Sequence, residues 1–466
     1  MPRYDTSESI RNGALLTDIS AKPAAGVSFV GALLGVAAAL VSVRSPILPA
    51  YVNISAILVC FAVVTAFAVV PRHRVGSLTV TAVDATFCIY ILWRLGAEFY
   101  NASTLDVEFA TNSLLDILIW ALAYLAVRVV LVRSSDVWTL LRWLAAPALF
   151  VSLLAVMQLI NVPGINQFLL DHVNSGGLET RIARGWDLRG TSTIGHWTAL
   201  GGYLSAAVAI TCARIINMRR KGDRISPWTL TLLVVLVFGQ VSTLTFATIG
   251  LTAVIVLVTA YRLRLGMHIV SLGVAVVALA WVVAGVALGD RLNKQLSTIE
   301  AANSNPYWWL PESIGFRVNV WVTETVPAIV ERPMTGWGIS AYRYLGTGLT
   351  SERLQWISPE SEWLRTGVTA GATGLILQLA LVGAVAHTVW RSRQELPGFV
   401  FDPIFVFFVG LFVVCFVHSH LTNRGVPLML WPIVACTLAI RFADGEAATS
   451  PGAARVLTNA QWRGFS

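Results

Sequence analysis

Long apolar runs make up most of this chain, and a bilayer-spanning helix is the structure that such runs favour. A helix rises about 1.5 Å per residue, so on the order of 20 apolar residues cross the hydrocarbon core of a membrane. The lipid cannot hydrogen-bond a free backbone, so a segment of this length must form a helix. Candidate spans occupy residues 25–43, 52–70, 78–95, 113–132, 137–160, 191–216, 227–240, 244–261, 268–288, 366–390, 399–418 and 426–441. The sequence therefore predicts an all-α polytopic membrane protein with about 12 transmembrane helices.

The composition favours a membrane protein over a soluble one. Of the 466 residues, 56% are hydrophobic and 12% are charged, and the mean hydropathy is +0.70. One soluble core could not bury so much apolar surface. The cysteines lie inside apolar runs, without the paired spacing of a zinc site or a disulfide framework, and we interpret them as packing residues. They are Cys60, Cys88, Cys212, Cys415 and Cys436.

Basic residues between the spans are concentrated in alternate loops. The loops of one side carry Arg72, Arg74, Arg133, the run RRKGDR at 219–224, Arg262, Arg264, Arg391 and Arg393. By the positive-inside rule this side is cytoplasmic, which places both termini in the cytoplasm. The net charge of +8 is then explained by membrane anchoring, and no nucleic-acid partner is expected.

This topology divides the chain into terminal, membrane and external parts. The predicted parts are a disordered cytoplasmic N-terminus (1–24), helices 1–9 (25–288) with an external loop at about 161–190, a large external loop (289–365), helices 10–12 (366–441) and a cytoplasmic tail (442–466).

The two external segments carry many arginines, against the charge bias that sets topology. They are Arg181, Arg184, Arg189, Arg291, Arg317, Arg332, Arg343, Arg353 and Arg365. Long loops can escape that bias, but so many external guanidinium groups indicate an anionic ligand.

The large external loop contains short predicted helices. Arg317, Trp321 and Glu324 recur at helical spacing and would share one face until Pro327 bends or ends the helix. Further on, Gly367 and Gly371 are four residues apart, a spacing that lets a neighbouring helix approach closely.

Several stretches resemble the O-antigen ligase and Wzy-type polysaccharide polymerase superfamily. They are RGTSTIGHWTALGGYL, GFRVNVWVTETVPAIVERPMTGWGISAYR and PESEWLRTGVTAGATGLIL, within residues 185–382. The resemblance implies a GT-C-like fold of about a dozen helices in the bacterial inner membrane. It also implies transfer of a glycan from an undecaprenyl pyrophosphate carrier to an acceptor on the outer face, without a metal or other cofactor.

Arginine suits the chemistry that this resemblance implies. The departing diphosphate carries negative charge, and a guanidinium group binds phosphate oxygens in pairs while staying charged. Arg317 matches the arginine at the head of the family's loop helix, with Trp321 as a sugar or lipid platform, and Arg189 matches the arginine before the glycine–histidine stretch. The alternative for both arginines is snorkelling to the headgroups. His196 either orients a substrate hydroxyl or bonds a neighbouring helix.

The general base is predicted among two carboxylates. Ligases of the superfamily show a histidine and an asparagine three and two residues before an aromatic; counting back from Trp363 gives Glu360 and Ser361 here. Glu360 and Glu362 are therefore the candidate bases, as in the polymerase-like branch. The alternative for either is an acid that caps the following helix. Arg365, one turn on, could pair with either.

The chain departs from the family pattern at a second place. An arginine expected after a serine in STLTFATIG is replaced by Phe246 and Ala247. Arg343 could supply the missing phosphate contact, and the alternative is a solvated loop arginine.

Charged residues within the predicted spans should face the bundle interior and pair. They are Asp84, Asp116, Arg128 and Arg142, with Asp84 and Arg142 as one candidate pair. The motif HSH at 418–420 does not indicate a metal site, because residues two apart on a helix point to different sides.

The sequence thus favours a membrane glycosyltransferase, with polymerase preferred to ligase because the histidine is missing. Its expected partners are a lipid-linked oligosaccharide donor, a glycan acceptor, the lipid bilayer and other polysaccharide export proteins. The alternative is a transporter or flippase for lipid-linked glycans, which makes no bond. Against it stand the lack of a repeat between the halves and the single large external loop near the C-terminal third.

Overall fold

A computed structural model describes most of the chain. It covers residues 25–45, 53–70, 79–101, 107–131, 134–185, 188–264, 307, 309–310, 312–356, 358–395 and 400–449, with single residues at 285, 289 and 293. The regular secondary structure of these ranges is helical and includes no strand, and extended pairing within them is limited to one bridge between Val43 and Val173. The prediction of an all-α chain is confirmed.

The helices follow the apolar runs. In chain order they are α1 (Ala25–Ala39), α2 (Ile54–Val69), α3 (Ala82–Tyr100), α4 (Val107–Val130), α5 (Ser134–Ala145), α6 (Ala148–Leu159), α7 (Ile165–His172), α8 (Gly176–Ala183), α9 (Trp197–Arg220), α10 (Pro227–Ser242), α11 (Phe246–Arg262), α12 (Glu312–Val320), α13 (Val326–Glu331), α14 (Glu362–Glu395), α15 (Asp402–Val414) and α16 (Val426–Thr449). Short 3-10 turns cover Ser192–Ile194 and Ile339–Arg343, and a π turn, Trp321–Thr325, joins α12 to α13.

Several helices could cross a membrane. Four stretches are long and apolar enough by length and composition: Ser113–Val130, Asp136–Leu159, Trp197–Arg220 and Glu362–Gln394. Six further apolar helices are shorter. Every predicted span except the ninth overlaps a helix. The ninth, at 268–288, lies almost entirely outside the described residues, as do 1–24 and most of 289–311.

Helix α9 is the centre of the bundle and packs against α10, α11, α15 and α16. Tyr203 and Leu200 are fully buried on it. Two glycines allow the close approach: a Cβ atom at Gly201 would lie 2.3 Å from the Oγ1 of Thr248, and one at Gly202 would lie 2.9 Å from the Nδ1 of His420. The small residues at the head of this run therefore serve packing.

One end of the bundle is closed by a buried carboxylate. Asp402, 3% exposed, accepts hydrogen bonds from the Nε of Arg262 at 2.5 Å and from the Nε of Arg393. The ends of α11 and α14 and the start of α15 therefore meet, in agreement with their placement on one side by the charge pattern. The starts of α9, α14 and α16 lie at the opposite end.

The pairing predicted for Asp84 is wrong. Asp84 accepts a hydrogen bond from the hydroxyl of Tyr124 at 2.7 Å and pairs with Arg128 at 3.4 Å. A capping box with Thr81 fixes Asp84 at the start of α3, beside the last turn of α4. Arg142 is exposed, with its guanidinium carbon 5.9 Å from the ring centre of Trp143.

Pro327 does not end the loop helix. The amide of Val326 donates to the carbonyl of Trp321, five residues back, in a wide turn placed immediately before the proline. Pro327 then occupies the first turn of α13, where a backbone donor is not needed. The predicted interruption is thus a π turn, after which the helix continues.

Helix α14 is broken at Gly371, which has φ 71° and ψ −179°. The loop before it docks at the break: the amide of Ala372 donates to the carbonyl of Pro333 at 2.6 Å, and that of Trp337 to the carbonyl of Val368 at 2.8 Å. The predicted close approach holds for Gly367, where a Cβ atom would meet Ile329 at 2.7 Å. Gly371 instead allows the backbone to leave the helix.

We expect Gly371→Ala to destabilise the protein. A Cβ atom there would lie 2.3 Å from the carbonyl oxygen of Met334, and the backbone conformation is nearly restricted to glycine, so the loss should be roughly 1–3 kcal/mol or more. Thermal unfolding in detergent measures it. Gly383→Ala in the same helix is the matched control, because nothing lies within 4 Å of its added carbon. An equal melting temperature for the two variants would contradict the prediction.

Candidate functional site

Two groups of charged side chains lie at the end of the bundle where α9, α14 and α16 begin. The carboxylate group consists of Arg317, Glu360, Glu362, Arg365 and Arg94. The arginine–histidine group consists of Arg181, Arg189, His196 and Arg424, around Trp197. The loop between α15 and α16 connects the two groups.

The face predicted for Arg317, Trp321 and Glu324 binds residues 355–356 and 359–360. The Nη2 of Arg317 donates to the Oε2 of Glu360 at 2.6 Å, and the Nε1 of Trp321 donates to the carbonyl of Pro359 at 2.6 Å. The Oε2 of Glu324 accepts from the backbone amides of residues 355 and 356, both at 2.9 Å. The helical spacing thus brings three predicted site residues, Arg317, Trp321 and Glu360, together.

Glu360 is the accessible carboxylate of the group. Its side chain is 40% exposed, against 13% for Arg317. Its φ of 51° lies in the left-handed region, which is uncommon for a glutamate, and a hydrogen bond from its amide to the Oγ of Ser358 accompanies this turn. The conformation presents one carboxylate both to Arg317 and to solvent.

Glu362 is fully buried and holds a loop. Its Oε2 accepts hydrogen bonds from the amides of Leu421 and Thr422, at 3.1 and 3.2 Å, and from the hydroxyl of Thr422 at 3.0 Å. Its Oε1 has no hydrogen-bond partner. Glu362 therefore caps the loop of a neighbouring helix pair rather than the start of its own helix.

Two arginines surround Glu362. Arg365 and Arg94 both interact with it electrostatically, and buried Arg94 donates to the Oγ1 of Thr369 at 2.8 Å. Arg365 was predicted for this place; Arg94 was missed. The sequence does indicate Arg94, because a charged residue inside the apolar run 78–95 is typically functional or paired.

Trp197 is the platform of the arginine–histidine group. The guanidinium carbons of Arg181 and Arg189 lie 4.6 and 5.0 Å from its ring centre, and the ring of His196 stacks on it at 4.2 Å. Arg189 and His196 were predicted site residues, whereas Arg181 and Trp197 were not. Arginine stacked on an indole keeps its donors at the edge, where they can meet an anion.

The stretch between Arg189 and His196 is fixed by hydrogen bonds to the ends of two helices. The buried Oε1 of Gln158, at the end of α6, accepts from the amides of Thr191 and Ser192 at 2.7 and 3.1 Å. After α1, the hydroxyl of Ser42 donates to the carbonyl of Ile194 at 2.7 Å, and that of Thr193 donates to the carbonyl of Ala39 at 2.6 Å. The polar residues of GTSTIG therefore set the position of the group.

His196 precedes helix α9 rather than lying inside it, because it is the N-cap of that helix. Its Nδ1 accepts from the amide of Thr198 at 3.3 Å. Burial, together with the positive charges of Arg424 and Arg181, lowers the pKa of His196 to about 4. The ring is neutral at neutral pH.

The loop between α15 and α16 connects the groups residue by residue. After the contacts of Leu421 and Thr422 with Glu362, the side-chain Nδ2 of Asn423 donates to the Oγ1 of Thr198 at 3.3 Å. The Nη1 of Arg424 donates to the carbonyl of Asn174 at 3.0 Å. These contacts were not predicted, because they join residues far apart in the sequence.

His420 lies in the same loop, fully buried, with no hydrogen-bond partner for either ring nitrogen. In the sequence, the motif HSH brings His420 to notice only as a metal ligand. The rings of His418 and His420 are 5.8 Å apart, and the described part of the chain contains no group of three or more His, Cys, Asp or Glu side chains that could hold a metal ion. Arg343 is exposed at the end of the 3-10 turn and does not enter the buried part of either group.

No protein-family model matches the chain, and no curated protein is similar to it. The resemblance to the O-antigen ligase and Wzy-type polymerase superfamily therefore remains an expectation based on the motifs.

Glu362→Ala should destabilise the protein more than Glu360→Ala. The first change leaves the amides of Leu421 and Thr422 without their acceptor in a buried place, which costs about 1–3 kcal/mol. The second removes a half-exposed pair with Arg317, for which about 0–1 kcal/mol is expected. Thermal unfolding of the purified variants gives the comparison, and the reverse order would show that Glu362 does not hold the loop.

We expect acid to destabilise the protein partly through His420. Burial, together with the nearby His196, lowers the pKa of His420 to about 3, from 6.5 for an ordinary histidine. The unfolded chain therefore binds the proton first, so the free energy of unfolding falls as pH decreases from about 6.5 towards 3.

Melting temperatures measured at several pH values check this prediction. In His420→Leu the decrease with acid should be smaller than in the wild type, and in His172→Leu, where the histidine is exposed, it should be unchanged. An identical pH dependence of wild type and His420→Leu would contradict it.

Proposed function

We propose that this chain is a metal-independent membrane glycosyltransferase of the O-antigen ligase and Wzy-type polymerase kind. It transfers or polymerises an undecaprenyl-pyrophosphate-linked oligosaccharide on the outer face of the bacterial inner membrane. The observation that carries the proposal is the contact of Arg317 with the accessible carboxylate Glu360, at the bundle end that also holds the arginine–histidine group.

The arginine–histidine group would hold the donor's pyrophosphate. Arg189 is stacked on Trp197 and its Nε is buried without a hydrogen-bond partner. The Nη1 of Arg424 binds a carbonyl and a hydroxyl, and Arg424 also interacts electrostatically with Asp116. Guanidinium groups oriented in this way bind phosphate oxygens without further reorganisation. Neutral His196 can hydrogen-bond a phosphate or a sugar hydroxyl.

The pair of Arg317 and Glu360 would perform the transfer. The acceptor hydroxyl attacks the anomeric carbon, the bond from this carbon to the phosphate oxygen breaks, and the hydroxyl proton passes to Glu360. Arg317 stabilises the charge on the departing diphosphate. Glu362, which is buried and holds the loop of Leu421, is assigned a positioning role.

The finer features of the fold belong to the same proposal. They are about 12 spans in a GT-C-like arrangement, cytoplasmic termini and cooperation with other polysaccharide export proteins. Polymerase is preferred to ligase because Glu360 occupies the position of the ligase histidine. An acceptor that is itself a lipid-linked repeat would then give a ladder of products.

A glycan transporter or flippase is the second candidate, and the break of α14 at Gly371 favours it. Transporters place discontinuous helices at their binding sites. Such a protein needs no proton acceptor beside Arg317, so the effect of replacing Glu360 separates the two functions.

In detergent, the wild type should lengthen or relocate a lipid-pyrophosphate-linked oligosaccharide without added divalent metal. Loss of the base in Glu360→Gln should slow transfer by about 10²–10⁴-fold, and loss of the cation in Arg317→Ala by about 10²–10³-fold. Arg220→Ala, an exposed arginine at the other end of α9, is the control and should be unaffected. Product gels and initial rates provide the readout.

A product ladder identifies a polymerase, and a single shift identifies a ligase. Normal rates in both variants would refute this site. Movement of the lipid-linked glycan across vesicles, with no change in the glycan and no effect of Glu360→Gln, would establish the transporter instead.

A further inference from the structure

A polar cleft of about 820 Å³ opens in the large external segment. Asn319, Thr323 and Glu324 line it from the loop helix, and Gln355 lines it from the facing segment. Its volume lies within the range of small-molecule sites, about 300–1,000 Å³, but those sites are mostly apolar. Polar side chains form nearly all of this wall, so an aliphatic or lipid ligand would not fit it.

The charges of the cleft also exclude a phosphate. Glu324, Glu331 and Glu352 line it, against Arg332 and Arg353. Arg353 pairs with Glu331 at 3.6 Å, and the guanidinium carbon of Arg332 lies 3.9 Å from the ring centre of Trp337. A mixture of carboxylates, amides and guanidinium groups offers both donors and acceptors without a strong field of one sign. Hydroxyl groups, which both donate and accept, match it best.

The cleft lies beside the pair of Arg317 and Glu360, because one helix contributes to both. Asn319, which lines the cleft, follows Arg317 by two residues on α12, a rise of about 3 Å along the helix axis. Arg317 donates to the carboxylate of Glu360. A ligand that contacts Asn319 is therefore near the accessible carboxylate.

From these observations we infer that the cleft binds the uncharged sugar chain of the acceptor and presents its end to Glu360. This inference rests on the proposed function and gives the two substrates separate places. The anionic donor binds at the arginine–histidine group, and the hydroxyl-rich acceptor binds in the cleft around Thr323.

The test measures binding without transfer. Full-length protein in detergent is applied to an array of uncharged and anionic glycans that carry no lipid or pyrophosphate. Thr323→Trp fills the cleft from an exposed position, and Gln355→Ala removes one amide while keeping the backbone contact to Glu324. Gln394→Trp, exposed at the other end of the bundle, is the matched control.

We expect the wild type and Gln394→Trp to bind one or more uncharged glycans, Thr323→Trp to bind at least tenfold less and Gln355→Ala several-fold less. Arg317→Ala should bind normally although it fails in transfer. Absence of binding by the wild type, equal binding by Thr323→Trp, or a preference for anionic glycans would overturn the inference. If the wild type transfers glycan without such binding, only the role of the cleft as acceptor site is refuted. If it binds glycan without transfer, the proposed function is refuted.

Discussion

The buried carboxylate of Glu362 is the interaction on which the charged end of the bundle depends. It accepts three hydrogen bonds from Leu421 and Thr422 and so joins the start of α14 to the loop before α16. In the same loop, the side chain of Asn423 hydrogen-bonds Thr198 of α9, and Arg424 hydrogen-bonds the backbone carbonyl of Asn174. A neutral side chain without oxygens could not satisfy these donors, and the two charged groups would lose their common support.

Departures from regular helix geometry occur where the site is formed. The π turn at Trp321–Thr325 lies beside the contact of Trp321 with Pro359, the break at Gly371 receives the loop of Trp337, and Glu360 has a left-handed backbone. These departures accompany the contact of Arg317 with Glu360 and the docking of the Trp337 loop on α14. Strained backbone of this kind persists only where surrounding contacts impose it, and it is commonly found at functional sites.

The helices and one face of the site could be predicted from the sequence because both depend on local patterns. The lengths of the apolar runs predicted the helices. The spacing of Arg317, Trp321 and Glu324 predicted a shared face, and this face binds one segment of the chain. Contacts between distant parts of the chain could not be predicted. Asp84 pairs with Arg128 rather than Arg142 because of how α3 and α4 pack, which no periodicity encodes. Arg94 was overlooked although its position in an apolar run was a sufficient signal.

The arginines at the two ends of the bundle have different kinds of partner, and this difference bears on function. At one end Asp402 satisfies Arg262 and Arg393 with a single buried carboxylate. At the other end Arg189 is stacked on an indole, and Arg424 binds a carbonyl and a hydroxyl and interacts electrostatically with Asp116. The positive charge there is strong enough to add to the lowering of the pKa of His196. Positive charges gathered in one place repel one another and oppose folding. Its retention is explained if an anionic ligand occupies this end during function, as a diphosphate would.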